Sequence, residues 1–267
     1  MPIRALLFDL DETLIPEESA VREALISTCQ IAHSYGLEPE ALAQAVLECA
    51  KRLWRSYPTS EECMALGVSS WEGLHARFEG HSPLMRQLRG LAPGYRLKAW
   101  SDALANFGIH DHKLAEGLAE TFRYERARLY KPFPDVEPVL GELQGSYHLA
   151  LVSNGLPCLQ REKLRLSGLE PFFREVVISG ELGIGKPDPR IFEHALSRLN
   201  VSPAEAVMVG DGLERDVLGA KQAGLIAVWV RRSDPHHPLQ DAGLSPDAMI
   251  SGLSEFPEII GRLDTHY

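Results

Sequence analysis

Two hydrophobic patterns alternate along this chain. The first is a short, continuous apolar run, rich in β-branched residues, that stops at small or polar residues. It occurs as "LLFDLDETLIP" from Leu6, "HLALVSNG" from His148, "EVVISGELG" from Glu175, "AVMVGDG" from Ala206 and "IAVWVRR" from Ile226, with "AMISGL" from Ala248 as a weaker sixth. Continuous rather than alternating apolar character predicts strands buried on both faces. The second pattern spaces apolar residues by three and four, as in "CLQREKLRLSGL", "PRIFEHALSRLN" and "LERDVLGAKQAG", which follow the second, third and fourth runs. Strand and helix in alternation predict an α/β fold, a Rossmann-like parallel sheet sandwiched by helices.

One crossover is out of scale. A parallel connection needs about a dozen residues, and the stretch between Pro16 and His148 is far longer. Its pattern is helical: "AVREALISTCQIAHSYG", "PEALAQAVLECAKRLWRSY", "YRLKAWSDALANFG" and "HKLAEGLAETFRYERARLY". Gly36, Pro39, Pro58, Gly94 and Gly108 punctuate it. The sequence thus predicts an all-α insertion over 17–131, set into a sheet domain built from 1–16 and 132–267. Two linkers, near "IPEES" and "YKPFPDV", join them and suit a hinge.

Composition narrows the partners. The net charge of -10 and the lack of a long Lys/Arg run argue against nucleic acid or an anionic membrane surface. No apolar stretch has the length of a membrane span, and "MPIRALLFDLDE" lacks the features of a signal peptide, so a soluble cytoplasmic protein is expected. Cys29, Cys49, Cys63 and Cys158 lack zinc-site spacing and read as free, buried thiols. His110, His112, His236 and His237 lie in polar, turn-like segments and read as solvated. Nothing outside the helical faces forms an apolar stripe, so a monomer or weak homodimer is expected.

In open parallel sheets, ligands bind at the carboxyl ends of the strands. The first run ends on Asp9 and Asp11, the second on Ser153, Asn154 and Gly155. The loop after the third reaches Lys186 in "GIGKPDPRIF", and the fourth ends in "GDGLERD" with Asp211 and Asp216. Asp9 and Asp11 aim at one point if the backbone stays extended that far. Converging carboxylates repel unless something neutralises them, and a hard dication such as Mg²⁺ does so, with Asp9 and Asp211 as oxygen ligands. Singly, each residue has a plainer reading: turn formers at Asp9, Asp11, Ser153 and Asn154, a helix cap at Asp211, a surface lysine at Lys186. Jointly, at the ends of successive strands, they make an active site.

These motifs, in this order, resemble the haloacid dehalogenase (HAD) superfamily in its phosphatase branch. "DLDET" matches the Asp-x-Asp-x-Thr signature, Ser153 the second-motif hydroxyl, Lys186 the third-motif lysine, and Asp211 with Asp216 the acidic pair. The helical insertion after the first motif resembles the family's C1 type of cap. The resemblance implies a Mg²⁺-dependent phosphatase in which Asp9 forms an aspartyl-phosphate and Asp11 is the general acid and base. Ser153, amides near Asn154 and Lys186 would stabilise the transferring phosphoryl group. Asp9, Asp211 and the Asp11 carbonyl would hold the metal, for which Mn²⁺ is a substitute. Thr13 would place the first loop, and Asp216 would orient Lys186 or a metal-bound water. Gly212 departs from relatives that carry Ser there.

Halide-releasing members lack the second aspartate, because displacing halide needs no proton donor. Asp11 therefore favours a phosphate ester. A sugar phosphomutase shares all these motifs, and a catalytically inactive binding module is a further alternative. A small phosphorylated metabolite is the expected substrate, selected by the cap. Within the cap, Trp54, Arg55, Trp71 and His75 are the candidates for lining a pocket, with core packing the plainer role for both tryptophans. Lys51, Lys98 and Lys113 read as surface residues.

Overall fold

The computed structural model describes residues 2–232 and 245–266, so His236 and His237 lie outside the described residues. The chain forms two compact units: residues 1–16, 131–160 and 164–267 make one, and 17–130 with 161–163 make the other. No described helix is long and apolar enough to cross a membrane.

Six strands build the first unit: β1 Ala5–Phe8, β2 His148–Ser153, β3 Glu175–Ile178, β4 Ala206–Gly210, β5 Ile226–Val230 and β6 Ala248–Ile250. All pair in parallel, in the order β3-β2-β1-β4-β5-β6. Successive side chains enter two separate cores. Leu6, Phe8, Leu151, Val209 and Val228 pack with Val136, Leu140 and Phe256, while Ala5, Leu7, Val152 and Met208 pack with Ile191, Phe192 and Val217. Burial on both faces is why the strands read as unbroken apolar runs. The strand order reverses beside β1, with β2 on one side and β4 on the other, and such a switch point opens a crevice at the carboxyl ends.

The second unit is helical: α1 Glu17–Cys29, α2 Pro39–Ser56, α3 Ser60–Ala65, α4 Ser70–His75, α5 Pro83–Ala105 and α6 His112–Ala127. Local chemistry sets their starts. Ser69 and Glu72 form a capping box on α4, Ser82 accepts the Met85 N–H before Pro83, and Asp111 accepts the Leu114 N–H. The expected break at Gly94 does not occur, since α5 runs through Pro93 and Gly94. Both sit on its exposed side, while Leu88, Ala92, Tyr95, Ala99 and Trp100 are buried, so packing outweighs the lost N–H and the poor propensity.

Trp54 and His75 belong to the core of this unit. Trp54 packs edge-on against Tyr95 at 5.2 Å, and His75 against Phe122 at 6.0 Å. Burial, then the charges of Arg126 and Lys163, hold the His75 pKa well below its ordinary value. A buried ion cluster lies nearby: Arg126 pairs with Glu17, and Lys163 lies 3.3 Å from Glu17 and 3.2 Å from Glu72. Two acids against two bases keep the cluster formally neutral, as burial requires. All four cysteines are free, with Cys29, Cys49 and Cys63 buried and Cys158 partly exposed.

The helices of the sheet unit are α7 Val136–Leu143, α8 Pro157–Leu166, α9 Ser179–Leu182 and α10 Pro189–Leu199, then a π-turn over Leu213–Leu218 that runs into α11 Gly219–Gln222, and α12 Phe256–His266.

Candidate active site

β1 ends at Phe8, one residue before Asp9, and the register pairs Phe8 with Val209 of β4. The Asp9 N–H donates to the Val209 carbonyl at 3.0 Å, which sets Asp9 beside Gly210 and Asp211. Beyond Asp9 the chain turns instead of staying extended. Leu14 and Ile15 N–H groups return to the Leu10 carbonyl, and Glu12 adopts φ 58. The turn gives the two carboxylates different hydrogen-bond partners, Lys186 for Asp9 and Gln160 for Asp11, while Arg215 feels the charge of both.

Asp9 joins a buried charge network. Lys186 Nζ lies 2.6 Å from Asp9 Oδ1 and 2.6 Å from Asp216 Oδ1. The Gly212 N–H donates to Asp216 Oδ2 at 2.8 Å. Gly210 makes this possible, because a Cβ there would sit 2.4 Å from Asp216 Cγ. A Cβ at Gly212 would lie 2.9 Å from Asp216 Oδ2, so a serine in its place would crowd the same carboxylate. Burial opposes the Lys186 charge, but Asp216 and Asp9 outweigh it and raise its pKa, which keeps the ammonium protonated. Asp216 thus lies in direct contact with Lys186.

Asp211 completes an acidic group. One carboxylate oxygen from each of Asp9, Asp211 and Asp216 lies within 4.8 Å of the others. Burial raises the Asp9 pKa, with Lys186 opposing and Asp216 adding. Burial, then Asp9 and Asp216, push Asp211 well above the usual carboxylate range. Clustered hard oxygen donors carrying excess negative charge fit a divalent cation such as Mg²⁺. Without cation, the raised Asp211 pKa means that its contribution to stability is full below the ordinary carboxylate pKa and is lost as pH rises through the folded value. Asp211→Asn is therefore expected to raise the unfolding midpoint in chelator at neutral pH, by roughly 2–4 °C for each kcal/mol of repulsion relieved. It should also abolish the Mg²⁺-dependent rise in that midpoint seen with the native protein. Thermal melts with and without Mg²⁺ check both, and an Asp211→Asn protein that keeps the Mg²⁺ shift would contradict them.

Asp11 sits with a different set. Gln160 Nε2, on α8, lies 2.9 Å from Asp11 Oδ2 and 2.7 Å from Ser153 Oγ, at the end of β2. Asn154 turns its side chain to the main chain of Lys186: Oδ1 accepts the Lys186 N–H at 2.8 Å, and Nδ2 donates to the Lys186 carbonyl at 2.9 Å. Its side chain thus places Lys186. The Thr13 hydroxyl donates to Asp211 Oδ1 at 3.4 Å, and the Thr13 carbonyl accepts from Arg232 Nε and Nη2. Arg232 also pairs with Asp135 and lies over the Phe133 ring at 3.8 Å.

Gln160, Trp229, Arg232 and Arg215 escaped the sequence reading. Trp229 Nε1 donates to the Asp211 carbonyl at 2.8 Å. Arg215 contributes positive charge that lowers the pKa of both Asp9 and Asp211. A local signal existed for Gln160: with Lys163 it is a polar residue at a buried position of α8. Of the specificity candidates in the helical unit, Trp71 lines a cavity of about 380 Å³ with Glu18, Arg22 and Glu40. Arg55 is exposed on α2 and does not line it.

The sequence model of the haloacid dehalogenase-like hydrolases matches residues 3–224. The chain belongs to that family. A phosphoserine phosphatase from Thermus thermophilus is 39% identical over 254 residues, 95% of this chain and 97% of that protein. A glyceraldehyde 3-phosphate phosphatase from Methanopyrus kandleri is 34% identical over 264 residues, 98% of each chain. Among solved structures, a 2-haloacid dehalogenase from Pseudomonas syringae superposes with TM-score 0.58 at 28% identity, over 97% of this chain and 99% of that one. The full-length phosphatase relatives place this HAD hydrolase among the phosphoric monoester hydrolases.

Proposed function

We propose that this hydrolase is a Mg²⁺-dependent phosphatase of small phosphorylated metabolites that works through an aspartyl-phosphate on Asp9. The observation that carries the reading is the different partnering of two carboxylates two residues apart: Asp9 lies against Lys186 in the acidic group, and Asp11 lies with Gln160 and Ser153. A carboxylate beside a positive charge supports the reading of Asp9 as nucleophile. A second carboxylate held apart from that ion pair supports the reading of Asp11 as proton carrier, which halide displacement does not need.

Asp9 and Asp211, with the Asp11 main-chain carbonyl, would hold Mg²⁺, which when bound shields the attacking carboxylate from the phosphate it approaches. An Asp9 oxygen attacks phosphorus, the bond from phosphorus to the ester oxygen breaks, and Asp11 gives that oxygen its proton. The Asp11 carboxylate then takes a proton from water as that water attacks phosphorus, which releases phosphate and restores Asp9. Lys186 and the Ser153 hydroxyl stabilise charge on the phosphoryl oxygens in both steps. Asn154 and Asp216 hold Lys186 in place, and Thr13 braces the first-motif loop. The helical unit acts as a C1-type cap that selects the substrate. The named substrates of the relatives, phosphoserine and glyceraldehyde 3-phosphate, support a small ester.

Release of inorganic phosphate from a panel of small phosphate monoesters tests this reading. Release is expected with Mg²⁺, falling to background when a chelator removes the ion. Folded protein that releases no phosphate from any ester, or phosphate release indifferent to chelator, would overturn it.

A further inference from the structure

The Gln160 side chain is fully buried, and its nitrogen meets three acceptors: Asp11 Oδ2 at 2.9 Å, Ser153 Oγ at 2.7 Å and the Asn154 carbonyl at 3.1 Å. Carboxylate and carbonyl oxygens only accept, so chemistry fixes which end of the amide faces them. Room has been made for it. Gly155, at φ 140, passes so close that a Cβ there would lie 3.0 Å from Gln160 Cδ. An apolar residue would fill a buried helix position at no desolvation cost, whereas a buried amide is favourable only through the bonds it makes. Those bonds go to the proton carrier and to the phosphate-binding hydroxyl.

We propose that Gln160 is a positioning residue that holds Asp11 and Ser153 in register from a single amide. This rests on the reading of Asp11 as general acid and base. One amide hydrogen goes to Asp11 Oδ2, which assigns the transferred proton to Oδ1. The other is shared between Ser153 Oγ and the Asn154 carbonyl, so the hydroxyl accepts from Gln160, and its own hydrogen, which meets the Asn154 carbonyl at a long 3.4 Å, turns to a phosphoryl oxygen when one is bound. The amide thereby fixes the distance between the group that grips the phosphate and the group that protonates the departing oxygen. Misplacing such a pair by about 1 Å is enough to cost on the order of 10²-fold in rate.

Leaving-group dependence separates this role from a structural one. An alkyl phosphate needs a proton on its departing oxygen, whereas 4-nitrophenyl phosphate leaves as a stable anion. The specificity constant kcat/KM reports the steps through formation of the phosphoenzyme, so it isolates that proton transfer. Gln160→Leu is expected to lower kcat/KM for an alkyl phosphate by about 10–100-fold, through kcat with KM little changed. The loss for 4-nitrophenyl phosphate should be smaller, so that the ratio of the two constants falls several-fold or more. An unchanged ratio, whether both constants fall together or neither falls, overturns the proposal. Should Gln160→Leu fail to fold, Gln160→Asn keeps the amide but is too short to span both partners, and is judged by the same ratio. Asp11→Asn is the control. If it collapses the ratio while the Gln160 variants do not, the positioning role alone fails; if it leaves the ratio intact, the general-acid reading fails and this proposal with it.

Discussion

Asp9→Asn is expected to reduce phosphate release by on the order of 10⁴-fold or more while leaving the protein folded, since no other group takes over the attack on phosphorus. The nearest carboxylates are committed elsewhere. Asp216 bonds Lys186 and the Gly212 N–H, and Asp11 lies with Gln160 and Ser153. The amide is isosteric and still accepts a hydrogen bond from Lys186, so the melting temperature should change little in chelator. Steady-state phosphate release and a thermal melt on the same preparation check both. Asp9→Asn protein that keeps a tenth of native turnover would contradict the assignment of the nucleophile.

Lys186→Met should have the largest effect on stability. The ammonium is buried and is the counter-charge 2.6 Å from both Asp9 and Asp216, which are themselves buried. Removing it leaves two carboxylates facing each other beside Asp211, and breaking a buried pair from one side typically costs about 3–5 kcal/mol. Urea unfolding in chelator measures that loss. A second substitution gives the sharper check: Lys186→Met with Asp216→Asn removes one of the stranded charges and should recover part of the loss, the non-additivity expected of direct partners. Mg²⁺ should narrow the gap between native and Lys186→Met protein by supplying positive charge to Asp9 and Asp211. A loss below about 1 kcal/mol would mean that Lys186 is not the counter-ion that its distances to Asp9 and Asp216 indicate.

The strands were legible because burial on both faces leaves no alternation, and the runs beginning at Leu6, His148, Ala206 and Ile226 carry that signature plainly. Their order in the sheet was not, since hydrophobic pattern records which residues are buried and not the side on which a crossover returns. The residues at the strand ends were legible for the same topological reason, and the structure brings Asp9, Lys186, Asp211 and Asp216 together. The partners of Asp11 are not legible, because β1 stops at Phe8 and the next residues turn, so the two-residue rule for strands does not reach Asp11. The run of α5 through Pro93 and Gly94 was hidden because tertiary packing of Tyr95 and Trp100 overrides local propensity. Trp229 and Arg232 act on main-chain carbonyls far away in sequence, at Asp211 and Thr13, and nothing local to "IAVWVRR" encodes such a bond.

The most direct test of the account is to trap the phosphorylated enzyme. Native protein mixed with substrate and Mg²⁺, quenched in acid within a turnover and digested, should yield the peptide containing "LLFDLDETLIP" with the added mass of one phosphoryl group on Asp9. The same peptide from Asp9→Asn protein should carry none. Phosphate released at the native rate with the peptide unmodified at every quench time, or the phosphoryl group found on Asp11 instead, would contradict it.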